Sequence, residues 1–129
     1  MPAGEAFTDN QRREIDKAIR DAERLSGHRF SVYVGASDDN PRRHAESLHA
    51  RLPDRDDTIF VHVDPHARAI EIVTGERVLG YLDNRRAALA ALTMQPTFAT
   101  GALTEGLIAG LQQLAALSRR VAPLDTDTP

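Results

Sequence analysis

The run Thr58 to Asp64 (TIFVHVD) constrains this chain more than any other stretch. Nearly every position is apolar or β-branched, so the segment reads as a central strand with both faces covered. Asp64-Pro65-His66 then makes a turn, and Arg68 to Thr74 (RAIEIVT) reads as another strand with Ile70 and Ile72 on one face. The link is short enough for a hairpin, which makes this pair antiparallel. A strand covered on both sides requires helices on both faces of its sheet.

Helical patterns flank the hairpin. Gln11 to Ser26 carries Ile15, Ala18, Ile19, Ala22 and Leu25 at helical spacing, with Thr8 and Gln11 forming a capping box and Gly27 placed for a left-handed cap. Arg29 to Val34 alternates as a strand, with Phe30, Val32 and Val34 on one face. After the turn-rich Gly35 to Asn40, Pro41 opens a helix over Arg42 to Leu52 with Ala45, Leu48 and Leu52 as its buried stripe; Pro53 ends it. Gly75 to Tyr81 fits either a loop or a short edge strand through Val78 and Leu79. Asp83 caps a helix reaching Met94, anchored by Leu89 and Leu92, and Gln95-Pro96 breaks it. A last helix, Ala102 to Arg120, buries Leu103, Leu107, Leu111 and Leu114, while Gly106 and Gly110 permit a close approach. The order α-β-α-β-β-α-α gives an α/β fold, a three-layer α/β/α sandwich around a small mixed β-sheet. One domain is expected over 9–121, between a flexible N-terminus at 1–8 and a disordered tail at 122–129.

Composition narrows the chemistry. The 129 residues contain no cysteine, which removes disulfide, zinc-thiolate, iron–sulfur and cysteine-nucleophile roles. A formal charge of -3 argues against nucleic-acid binding, which needs a basic face. No signal peptide or membrane anchor is expected, because the most apolar stretch, Ala102 to Leu117, is interrupted by polar residues and falls short of the ~20 residues of a spanning helix. Cytoplasmic location follows as the expectation.

A crossover from the first strand to TIFVHVD places the carboxyl ends of two parallel strands on one rim, where open α/β sheets bind ligands. Asp38 and Asp39 follow the first strand and Asp64 ends the second. Together they could hold a hard cation such as calcium or magnesium through oxygen ligands. The plainer reading makes Asp38-Asp39-Asn40 a helix cap and Asp64-Pro65 a turn. His62, Asp64 and His66 alternate in a pattern that can bind a transition metal, although Pro65 bends the chain before His66 and Phe60 shares the face of His62. A partly buried His62 under a helix is therefore expected. His44 and His49 are expected at the surface. No nucleophile elbow, phosphate-binding loop, zincin motif or dinucleotide fingerprint is present.

Four segments, FTDNQRREIDKAIRDAERLSGHRFSVYVG, HAESLHARL, IFVHVDPHARAIEIVTG and FATGALTEGLIAGLQQLA, together resemble a family of small actinobacterial proteins of unknown function. That family is similar to a divergent branch of the TPM domain, named for a thylakoid lumen protein, a photosystem II repair protein and a nematode receptor modulator. The segment IEIVTGERVLGYLDN looks like the TPM approach to an aspartate, here Asp83. The resemblance implies an α/β/α sandwich with a mixed sheet, and links to acid phosphatase activity, divalent-cation binding, and assembly or repair roles. It also adds Asp83 to the candidate metal ligands Asp38, Asp39 and Asp64. Where many relatives read Phe-x-x-Gly-Asp before the last helix, this chain has Phe98, Gly101 and Ala102, without that carboxylate.

Three functions are compatible with these residues. A non-enzymatic module that binds a protein partner, with or without a divalent cation on the acidic rim, fits the missing nucleophile. A metal-dependent phosphatase-like hydrolase would use the four aspartates to activate water. A simple cation-binding module would use them without a reaction.

Overall fold

The computed structural model describes residues 7–120. The hairpin and the crossover are both present. Strand β1 (Arg29–Val34) pairs in parallel with β2 (Thr58–Asp64), from Arg29 opposite Thr58 to Val34 opposite Val63. β2 pairs antiparallel with β3 (Ala69–Thr74), from Ile59 opposite Thr74 to Asp64 opposite Ala69. The mixed sheet therefore has the order β1-β2-β3, and all of β2 is buried.

Alternation along β2 sends its side chains into two cores. Phe60 packs with Val73 against Ala45 of α2 (Pro41–Ala50), which covers one face alone among the described helices. Ile59, Val61 and Val63 point the other way, into a larger core shared with α1 (Asp9–Ser26), α3 (Asn84–Met94) and α5 (Leu103–Leu117). This is the three-layer α/β/α sandwich that the element order implies. α1 begins with the expected capping box: Thr8 Oγ1 accepts from the Gln11 backbone N–H, and Gln11 Oε1 from that of Thr8. Among the described residues no helix is long and apolar enough to cross a membrane.

Several boundaries and anchors differ from the sequence expectation. Phe7 is buried and Thr8 caps α1, so ordered structure begins inside the segment 1–8; residues 1–6 and the tail 122–129 lie outside the described residues. Of the two readings of Gly75 to Tyr81, the loop is the one present, wound into turns and not paired as an edge strand. Successive turns there bury Val78, and Leu82 just after them. Gly75 is required because a Cβ would collide with the carbonyl oxygens of Arg55 and Asp56, in the 3₁₀ turn Arg55–Asp57. A short helix, α4 (Thr97–Thr100), precedes α5.

The leucines expected to anchor α3 are not its anchors. Leu89 and Leu92 are 54% and 65% exposed, whereas Ala87, Ala90 and Met94 form the buried face. Close packing explains the phase. Met94 lies where a Cβ on Gly110 would stand, so α3 meets α5 through its small residues, and its leucines turn outward. On α1, Leu25 is exposed and Ser26 is buried in its place.

Candidate functional site

The carboxyl ends of β1 and β2 meet at one rim, and Asp64 is its brace. Its Oδ2 accepts from the Ser37 backbone N–H at 2.8 Å and from the Ser37 hydroxyl at 2.7 Å, while Oδ1 accepts from the Ala67 N–H at 3.0 Å. One buried carboxylate thus ties the loop after β1 to the turn after β2. Burial alone would push the Asp64 carboxyl up, but the bonds from Ala67 and Ser37 outweigh it and hold the group below the usual carboxylate range.

The other three predicted ligands are placed differently. Asp38 and Asp39 are exposed on that loop, beside a shallow cavity of about 270 Å³ that Asn40, Arg43, His44 and Ser47 also line. Asn40 is the residue that caps α2, its Oδ1 accepting from the Arg43 N–H at 2.9 Å. Asp83 caps α3, accepting from the Arg86 N–H at 2.8 Å. Its neighbour Asn84 lies 3.4 Å from Thr74, which pairs with Ile59 at the start of β2. Asp83 is therefore at the opposite end of the sheet from Asp64, roughly 16 Å along the strand. The structure brings Asp38, Asp39 and Asp64 to one rim and leaves Asp83 outside it. Among the described residues no three histidine, aspartate or glutamate side chains are placed to hold a metal ion.

The histidines carry more of the rim's architecture than their sequence positions suggested. His62 is 1% exposed under α2, with Nε2 donating to the Gly35 carbonyl at 2.9 Å; its Nδ1 has no partner among the described residues. His44, expected at the surface, is half-buried. Its Nδ1 accepts from the Asp38 backbone N–H at 2.9 Å, and its ring meets that of His62 edge-on at a centroid separation of 5.4 Å. Tyr33 closes the group, 5.1 Å from His62. His49, also expected at the surface, is buried, its Nε2 3.3 Å from the Thr58 carbonyl oxygen. A signal was available: His44 stands one turn before Leu48, and His49 one turn after Ala45, both on the buried stripe. His66 lies exposed beyond the Pro65 bend.

A second surface stands out across the sheet. Leu92 borders a groove of about 440 Å³ between α3 and the edge of β3, which pairs with no further strand among the described residues; Ala88 and Ala91 lie on one side and Ile70, Ile72 and Arg42 on the other. The edge itself is guarded. Arg42 Nη1 donates to the outward carbonyl of Ile72 at 2.7 Å, and Gln95 Nε2 donates to the carbonyl of Arg68.

A family model described as "Domain of unknown function (DUF5130)" matches residues 1–115. Uncharacterized proteins of two Mycobacterium tuberculosis strains are each 28% identical over 102 residues, which make up 79% of this chain and 61% of theirs. The chain spans about three-fifths of the length of these relatives. The NMR structure of the BA42 protein from the psychrophilic bacterium Bizionia argentinensis matches with a TM-score of 0.75 at 17% identity, over 86% of this chain and 80% of that one. The N-terminal domain of a P. gingivalis protein matches with a TM-score of 0.73 at 20% identity, over 87% and 76%. At such identities these likenesses establish a shared small α/β fold.

Proposed function

The chain belongs to the DUF5130 family of domains of unknown function, and we propose that it works as a cytoplasmic protein-interaction module that docks a partner on the outer face of α3. The observation that carries this is the exposure of Leu89 and Leu92, 54% and 65%, one turn apart on α3, with Leu92 bordering the groove along β3. A ridge of large apolar side chains left this exposed among the described residues is the chemistry of a docking surface. The partner element is a helix with an apolar face. An added strand would find the carbonyls of Ile72 and Arg68 already engaged by Arg42 and Gln95, whereas a helix packs its side chains against an i, i+3 ridge without needing those groups.

The resemblance to the TPM domain, with its assembly and repair roles, supports the same function. Asp64 speaks for a binding domain over the metal-dependent hydrolase, because its carboxylate already accepts three hydrogen bonds within the fold. The test is crosslinking capture with the wild-type chain and with Leu89→Lys/Leu92→Lys. The variant keeps the wild-type fold by circular dichroism and loses the captured partner. Capture of the same proteins by both would overturn the proposal.

A further inference from the structure

His28 sits between Gly27 and β1, only 2% exposed, and both of its ring nitrogens are engaged. Nε2 lies 2.7 Å from the Ser118 carbonyl oxygen, just past the end of α5. A carbonyl only accepts, so Nε2 carries a proton. Nδ1 lies 3.2 Å from Nε of Arg120. A guanidinium only donates, so Nδ1 must offer its lone pair. The two contacts together are satisfied by the neutral imidazole alone. Arg120 is held by three further features: its backbone N–H donates to the Ser26 carbonyl at 3.0 Å, its guanidinium lies 5.1 Å over the Tyr81 ring, and its aliphatic stem lies against Gly27. The Tyr81 ring in turn meets His28 edge-on at 5.0 Å.

We infer that His28 is a proton-operated latch, which when neutral holds the chain after α5 against the start of β1 and when protonated releases Arg120. A proton on Nδ1 removes the acceptor that Arg120 uses and sets an imidazolium against a guanidinium inside one contact. The charged groups that bear on His28 are Arg120 after α5 and Asp57 in the turn before β2. Arg120 opposes protonation, whereas Asp57 and the hydrogen bond to the Ser118 carbonyl favour it. Burial is the largest influence and holds the imidazole below its ordinary value, in the direction that the latch requires. Its operation is independent of whether α3 binds a partner.

The experiment is an NMR titration of the whole chain from pH 8 to pH 5, following the His28 ring carbons and the Arg120 Nε–Hε signal. The two should move together, with a common midpoint below the ordinary histidine value of 6.5. In His28→Gln, whose side chain does not titrate, the Arg120 signal should become independent of pH. If that variant does not fold, Arg120→Ala serves, because removing the guanidinium should raise the His28 midpoint. An Arg120 signal that stays put while His28 titrates, or a His28 midpoint unchanged in Arg120→Ala, overturns the latch.

Discussion

Asp64 receives Ser37 twice on one oxygen, through the backbone N–H at 2.8 Å and the hydroxyl at 2.7 Å. Ser37 lies in the loop after β1 and Asp64 ends the neighbouring parallel strand β2, so this double contact fixes the loop against the strand end at the rim. Asp64→Asn keeps the shape but replaces an oxygen by an amide that confronts N–H donors. Hydrogen bonds to a charged group contribute about 1.5–3 kcal/mol, and a loss in that range is expected by urea unfolding at pH 7. Asp38→Asn, at an exposed position, should stay within about 0.5 kcal/mol of wild type.

Acid should expose the same brace. Asp64 titrates below the ordinary 3.8 in the folded chain, so the unfolded chain binds its proton first as the pH falls. Its contribution is complete above pH 3.8 and is lost as the pH drops through the lower folded value. His28 acts at higher pH with the same sign. Its folded midpoint is below 6.5, so stability is full above pH 6.5 and declines as the pH falls toward the folded midpoint. Unfolding free energies for wild type and His28→Gln should therefore diverge in shape between neutral and mildly acidic pH. Parallel curves would deny His28 that role.

The outward phase of α3 makes a contrast that stability measurements can check. Leu92→Ala removes a side chain already 65% exposed and should change unfolding free energy by less than about 0.5 kcal/mol. Leu111→Ala in α5 empties a fully buried position and should cost about 2–5 kcal/mol. Equal costs at the two positions would mean that Leu92 is covered in solution.

These contrasts also show where the sequence was legible. β2 could be read outright, because seven residues without a solvent-facing register leave one place in a sheet. The hairpin followed from the short turn, and the crossover located the rim and Asp64 within it. α3 could not be phased from apolarity. With alanines and leucines on all sides, only the partner surface decides which face turns inward, and Gly110 against Met94 selected the small residues. The role of Asp64 was hidden for another reason. A carboxylate at a strand end looks the same in sequence whether it serves a cation or a neighbouring loop, and Ser37 is 27 residues away. His28 carried a readable sign, since it precedes buried Phe30 by two and shares its parity.

The edge of β3 gives the last prediction. Edge strands offer unpaired carbonyls to other chains, and charged side chains that occupy them suppress such pairing. Arg42 does this at Ile72 while also meeting Glu46 at 3.1 Å and Glu71 at 3.5 Å. Those ion pairs are substantially exposed and contribute little to stability, so the value of Arg42 lies in the carbonyl it covers. Arg42→Ala should leave the unfolding midpoint close to wild type and open the Ile72 carbonyl at the edge. Sedimentation should then show the variant's mean mass rising with protein concentration more steeply than that of wild type. Arg42→Lys, which keeps a donor on a long stem, should recover part of the protection. If Arg42→Ala sediments like wild type at every concentration, Gln95 at the Arg68 carbonyl and the α3 wall are sufficient to guard the edge without it.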